Sequence, residues 1–206
     1  MHTALGIVGL DAAAVNESIR LAEQVTAADL TRPTPCADWT LHGLLRHMIA
    51  QHYGFAAAAT GDGDPAGWRL RPLGDDPAAE YRAAAEHVLG AFAADGVLTR
   101  QFPLPEITRQ PVFPGAQAVS FHFVDYVVHG WDVARTMDQP FELPTDVVAA
   151  ALPLAFAVPD GSFRAGDSAV FGPAIPPTEP TNDLDRILAY LGRSPQWTPP
   201  VAARKP

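Results

Sequence analysis

Apolar residues recur at helical spacing in several segments of this chain. Leu10, Ala14, Ile19, Ala22 and Val25 share one stripe, which predicts a first helix over about 10–28. The breaker-rich run Thr31-Arg32-Pro33-Thr34-Pro35 follows it. Thr40, after Asp38 and Trp39, reads as the N-cap of a second helix that carries Leu41, Leu44, Leu45, Met48, Ile49 and Phe55. Gly61 supplies its left-handed stop. The stretch 61–76 is dense in Gly, Pro and Asp and reads as a surface loop. Asp76-Pro77 then looks like a cap followed by proline at the first helical position, opening a third helix that runs to about Ala94 before Gly96. Val97 to Leu104 predicts a short extended piece, and Pro103, Pro105, Pro111 and Pro114 keep that connection irregular. The fourth helix spans about Gly115 to Met137, with Val119, Phe123, Val124, Val127, Val128, Trp131 and Val133 as apolar positions and Pro140 beyond its end. A fifth runs from Thr145 to about Val158. A Gly/Pro-rich segment reaches Pro180, and a short sixth helix follows, with Thr181 as cap, Leu184, Ile187, Leu188 and Leu191 inside, and Gly192 at its end.

Long helices joined by short connections make an all-α bundle. Residues 1–158 are expected to form it. Residues 159–206 are too few for a second core and predict a C-terminal arm with a short terminal helix, packed on the bundle as part of the same domain. No repeat or low-complexity tract interrupts this reading. No apolar run approaches the roughly 20 residues of a membrane span. The stretch Met1 to Val15 lacks a Lys or Arg ahead of its apolar positions and is broken by Asp11, so no secretory leader is expected. A net charge of −9, with Lys205 as the sole lysine, provides no basic patch for nucleic acid. The single cysteine, Cys36, excludes an intrachain disulfide and Cys-rich zinc motifs. A cytoplasmic protein acting on a small molecule is the expectation, and Cys36 in its Pro-flanked loop reads as inert rather than nucleophilic.

The fourth helix breaks its own apolar pattern with His122, Asp125, His129 and Asp132, which project from one face. His122 and His129 lie about 10 Å apart along the axis, too far for two ligands each about 2 Å from one ion. Asp125 and His129, about 6 Å apart along the axis, reach a common point readily. His122 with Asp125 and His129 with Asp132 remain competing pairs at spacing three. An Asp–His pair at such spacing is by itself more often a hydrogen-bonded pair or a solvated face than a metal site. A third ligand must come from elsewhere, and His47 sits among Leu44, Met48 and Gln51 on the side of the second helix expected to face inward. His42 and His52 lie five residues either side of His47, point away from it, and read as surface residues. Two nitrogens and a carboxylate leave a coordination position open, as catalytic sites do; zinc suits them first, and Ni, Fe or Mn also would. Asp132, one turn beyond His129, is a candidate for orienting that ring, with a helix-surface or capping role as its rival. Tyr126 and Trp131 read as packing residues.

Two stretches together resemble a known family. One is Thr34-Pro35-Cys36-Ala37-Asp38-Trp39-Thr40 leading into Leu44-Leu45-Arg46-His47; the other is Asp125-Tyr126-Val127-Val128-His129-Gly130-Trp131-Asp132-Val133-Ala134. They resemble the DinB-like superfamily and, within it, the mycothiol-dependent maleylpyruvate isomerase N-terminal-domain group. Phe171-Gly172-Pro173 and Leu191-Gly192-Arg193-Ser194-Pro195 through Trp197 look like the tail of an actinobacterial metal-binding subgroup. The resemblance implies a DinB-like four-helix bundle whose metal ligands fall on His47, Asp125 and His129. Asp125 stands where the isomerase usually has Glu, one methylene longer. The isomerase also carries a further C-terminal domain that this chain is too short to hold, which argues against maleylpyruvate isomerisation itself. What the resemblance implies more generally is a metal-dependent enzyme of the transferase or isomerase kind, activating a thiol such as mycothiol for transfer to an electrophile. The alternatives are a metal-dependent hydrolase or tailoring enzyme, and a non-catalytic binding protein of the same fold. A homodimer rests on analogy alone.

Overall fold

The computed structural model describes residues 5–36, 39–107, 112–164, 171–176 and 182–200. Six α-helices form among the described residues: α1 (Ile7–Ala22), α2 (Leu41–Ala59), α3 (Pro77–Phe92), α4 (Gly115–Thr136), α5 (Thr145–Phe156) and α6 (Asp183–Tyr190). Helix α1 packs on α3 and α4, and α2 packs on the same two from the other side, which closes a four-helix bundle. Its core joins Ala14, Val15 and Leu21 of α1 to Leu41, Leu44, Leu45 and Met48 of α2, Tyr81 and Ala84 of α3, and Phe123 and Val127 of α4. Each wholly buried leucine contributes roughly 1.5–3 kcal/mol through removal of apolar surface from water. Helix α5 lies against α4 and α1, and α6 lies against α5. Among the described residues, no helix is long and apolar enough to cross a membrane.

The expected ends hold where the local chemistry is unambiguous. Asp76 Oδ1 accepts the Ala79 N–H at 3.0 Å and Pro77 opens α3. Thr40 precedes α2, and Gly61 and Gly96 both take positive φ. The first helix stops at Ala22 rather than near Ala28. A capping box explains the difference: Asp29 Oδ2 accepts from the N–H and hydroxyl of Thr26 at 3.0 and 2.7 Å, so the chain restarts as a 3-10 turn over Ala27–Thr31.

The stretch 61–76 is not wholly a surface loop. Asp64 caps a 3-10 turn, Pro65–Trp68, that drives Trp68 into the core against Phe55. Gly54 makes this possible, because a Cβ there would collide with the indole. The piece expected to be extended splits into a 3-10 turn, Val97–Thr99, and a short strand β1 (Gln101–Phe102). That strand pairs antiparallel with β2 (Phe113–Pro114). Thr181 lies outside the described residues, and α6 is capped by Asn182, whose Oδ1 accepts the Asp185 N–H at 2.8 Å.

Within the described residues, the C-terminal arm touches the helices at several points. Ile175 donates its N–H to Ala189 O at 2.8 Å, Arg135 Nη2 donates to Trp197 O at 2.7 Å, and Phe171 and Leu191 are buried. Helix α6 ends in a Schellman motif: the Gly192 N–H reaches Ala189 O and the Arg193 N–H reaches Leu188 O, with Gly192 at φ 81°. The positive φ and the close approach of Gly172 both demand glycine at 192.

Candidate metal centre

Helix α4 presents Asp125 and His129 one turn apart, and α2 brings His47 to meet them. One ligand-type atom from each of the three lies within 4.8 Å of the other two. His129 Nε2 and Asp125 Oδ1 are 3.4 Å apart. That is long for a hydrogen bond and close to the separation of about 3.4 Å between two ligands of one tetrahedral ion with bonds of about 2.1 Å. The His47 and His129 rings meet edge to face, their centroids 5.1 Å apart.

The electrostatics leave His47 with a free lone pair. Burial, the neighbouring His129 and the Arg193 charge push its pKa down to about 4 despite the opposing pull of Asp125, so the imidazole is neutral at pH 7. Trp39 lies over both histidines, 4.7 Å from His47 and 6.2 Å from His129 between centroids, with 36% of its surface exposed. The indole thus walls the two histidines on one flank.

The other nitrogen of His129 faces inward. Its Nδ1 lies 3.0 Å from Asp132 Oδ2, which sets Nδ1 as the protonated nitrogen and leaves Nε2 to point toward Asp125. Arg193 Nη2 donates to the same Asp132 oxygen and to Cys36 Sγ, each at 3.2 Å. Burial alone would raise the Asp132 pKa, but the Arg193 guanidinium and His129 outweigh it and hold the carboxyl below its ordinary range. Cys36, His129 and Asp132 also cluster closely enough to hold an ion. A dication there would have to displace the guanidinium already bonded to both Sγ and Oδ2, which favours the His47–Asp125–His129 set.

His122 belongs to a separate cluster. Its Nδ1 lies 2.6 Å from Asp11 Oδ1, and its Nε2 lies 3.2 Å from His52 Nδ1. All three residues are fully buried. The expectation that His52 is a surface residue is therefore wrong. It points away from His47, but α2 is packed on both sides, by α3 and α4, so the opposite face is interior too. His52 stacks on Tyr126 at 4.2 Å, and burial followed by the nearby His122 lowers its pKa well below the usual histidine value. His42 is half-buried. Tyr126 and Trp131 are buried as packing residues, with the Tyr126 hydroxyl donating to Met48 O.

Sequence reasoning missed Asp11, Trp39 and Arg193. Asp11 carried a signal, as an acid within an apolar helical stripe, whereas Trp39 and Arg193 stood inside the stretches that carry the family resemblance without anything to assign them a role.

The sequence model of the family described as the mycothiol maleylpyruvate isomerase N-terminal domain matches residues 12–134. Among curated proteins, an uncharacterised protein present in two strains of Mycobacterium tuberculosis, CDC 1551 / Oshkosh and ATCC 25618 / H37Rv, is 29% identical over 176 residues, covering 84% of this chain and 90% of the relative. Among solved structures, a DinB-like protein from Bacillus subtilis superposes with a TM-score of 0.51 at 17% identity, over 67% of this chain and 95% of that one. A mycothiol-dependent maleylpyruvate isomerase also superposes with a TM-score of 0.51, at 14% identity, over 71% of this chain and 66% of that one. At these identities the structural likeness carries the fold, a DinB-like bundle.

Proposed function

We propose that this chain, which belongs to the mycothiol maleylpyruvate isomerase N-terminal domain family, holds one divalent cation between His47, Asp125 and His129 and readies a low-molecular-weight thiol for reaction with an electrophile. The observation that carries the reading is the convergence of those three ligand atoms, from two helices, within 4.8 Å. The donor set fits: two imidazole nitrogens and one carboxylate oxygen suit zinc, and Ni, Fe or Mn as well, with a position left open. A cation there would act as a Lewis acid, lowering the pKa of a thiol that occupies the open position. Each side chain then has a task. Asp132 fixes the His129 ring through Nδ1, Asp125 supplies the anionic ligand that helps hold the cation, and Trp39 screens one flank from water. Mycothiol is the candidate thiol because the family's description and one structural neighbour's name it. Maleylpyruvate is not carried over, because the chain spans 66% of that isomerase.

Metal analysis of protein purified without a polyhistidine tag and reconstituted with zinc or nickel tests the site. About one equivalent is expected for the wild type and less than about a tenth for His129→Ala, since loss of a direct ligand removes most of the binding free energy. A wild type that retains less than a tenth of an equivalent would sink the site. Calorimetry with mycothiol then tests the thiol step: binding by wild type and not by His129→Ala is expected. Equal binding by both removes thiol activation and leaves hydrolysis or simple metal storage at the same centre.

A further inference from the structure

Arg193 reaches the candidate metal centre from far along the chain. The Schellman turn at Gly192 ends α6 and directs the next side chain into the bundle, where Arg193 is 4% exposed. There Nη1 donates to Leu191 O at 3.0 Å, while Nη2 donates to Asp132 Oδ2 and Cys36 Sγ. Asp132 Oδ2 therefore serves two donors, His129 Nδ1 on its own helix and Arg193 from the arm. Its other oxygen, Oδ1, is buried with no hydrogen-bond partner among the described residues. The carboxylate is oriented through that one shared oxygen.

We infer that Arg193 is a positioning residue for the metal centre, and that through Asp132 it couples cation binding at His129 to docking of the C-terminal arm over 182–200. The inference rests on the proposed metal site. A carboxylate whose one oxygen is held from two directions, by Arg193 Nη2 and by His129 Nδ1, is restrained in place, and so restrained it holds the imidazole at the angle that aims Nε2 toward Asp125 and His47. A cation on Nε2 draws density from the ring and makes Nδ1–H a stronger donor. It thereby fixes more firmly the carboxylate oxygen on which Arg193 also docks, so the ordering of Asp132 is shared by both contacts although the two donors draw on the same oxygen. Two binding events that share one intermediary are reciprocally linked: whatever factor the docked arm adds to cation affinity, the cation adds to docking of the arm. One force opposes this, the repulsion between guanidinium and dication. Orientation outweighs it here because the Asp132 charge lies between the guanidinium and the His129 ring, and the ring in turn separates that carboxylate from the site.

The test uses zinc as the probe on the full chain, with affinity from a competition titration against a chromophoric chelator and amide hydrogen exchange across 182–200. In the wild type, zinc is expected to slow exchange of the arm by roughly tenfold. Arg193→Gln is expected to bind zinc about tenfold more weakly, within the 10–100-fold range for groups that orient a metal ligand, and to lose the effect of zinc on the arm. Asp132→Asn serves as the second variant, with folding of both checked by circular dichroism. Zinc should no longer protect the arm in it, and adding Arg193→Gln to it should change affinity little. Zinc affinity of Arg193→Gln equal to the wild type overturns the inference while leaving the metal site standing. Tighter binding by that variant overturns it too, because repulsion would then outweigh orientation. Continued protection of the arm by zinc in Asp132→Asn likewise overturns it. A wild type that binds no zinc overturns both this and the metal site.

Discussion

Helices α2 and α4 hold two histidine–carboxylate clusters, one above the other. They run antiparallel, so His47 meets His129 at one level and His52 meets His122 at the next. In both clusters a histidine of α4 gives Nδ1 to a buried carboxylate, Asp132 in one and Asp11 in the other. The difference lies at the second nitrogen. His122 Nε2 faces His52 Nδ1 at hydrogen-bond distance beneath Tyr126, Phe55 and Phe92, so that nitrogen is already engaged in a buried pair. His129 Nε2 faces a carboxylate oxygen at 3.4 Å and a second imidazole, beside a half-exposed indole. The same residue types on the same two helices thus make a structural cluster or a candidate binding site. What the remaining lone pair faces, and whether solvent reaches it, decides which.

The contrast breaks most sharply through His122. His122→Ala strands the Asp11 carboxylate in the core and opens a cavity, and is expected to cost about 3–5 kcal/mol in urea unfolding. A loss below about 1 kcal/mol would mean that the closed cluster is not structural. A smaller effect sharpens the other half. Zinc at about a hundred times its Kd should stabilise the wild type by about 2.7 kcal/mol. His47→Ala should abolish that gain and His52→Phe should keep it; the reverse pattern in thermal melts would exchange the roles assigned to the two levels.

The smallest effect appears in acid. The folded pKa of His52 lies well below its unfolded value near 6.5, so below that pH the unfolded chain binds the proton that the folded chain refuses. Stability then rises with pH and falls by about 1.4 kcal/mol per unit as the pH drops below about 6.5, until the folded pKa is reached. His47, neutral when folded down to about pH 4, adds a slope of the same sign in metal-free protein. His52→Phe should be shallower than the wild type by the His52 share alone. Identical slopes from pH 6.5 to 5 would contradict a buried neutral His52.

Much of this was legible in the sequence wherever one local rule acted alone. Asp76-Pro77 capped a helix, Gly61 and Gly96 took positive φ, and the Asp125–His129 spacing placed both side chains on one face. The misses share a physical origin, which is that burial is set by neighbours rather than by the segment itself. His52 sits on the face of α2 opposite His47 and reads as exposed only if that helix is covered on one side. Trp68 sits in a stretch whose Gly, Pro and Asp suggest solvent, yet the space left by Gly54 admits it. Asp132 showed its spacing to His129 but could not show that a guanidinium 61 residues away completes it.

The span of the family match acquires a meaning from these contacts. It begins at residue 12 and ends at 134. Asp11, which closes the inner cluster, lies one position before it, and Arg193, which closes the outer one, lies well beyond it. A fragment trimmed to the matched span would carry every proposed ligand yet leave His122 and Asp132 each without a charged partner, so the span that the family model matches is shorter than the span over which these charges are paired.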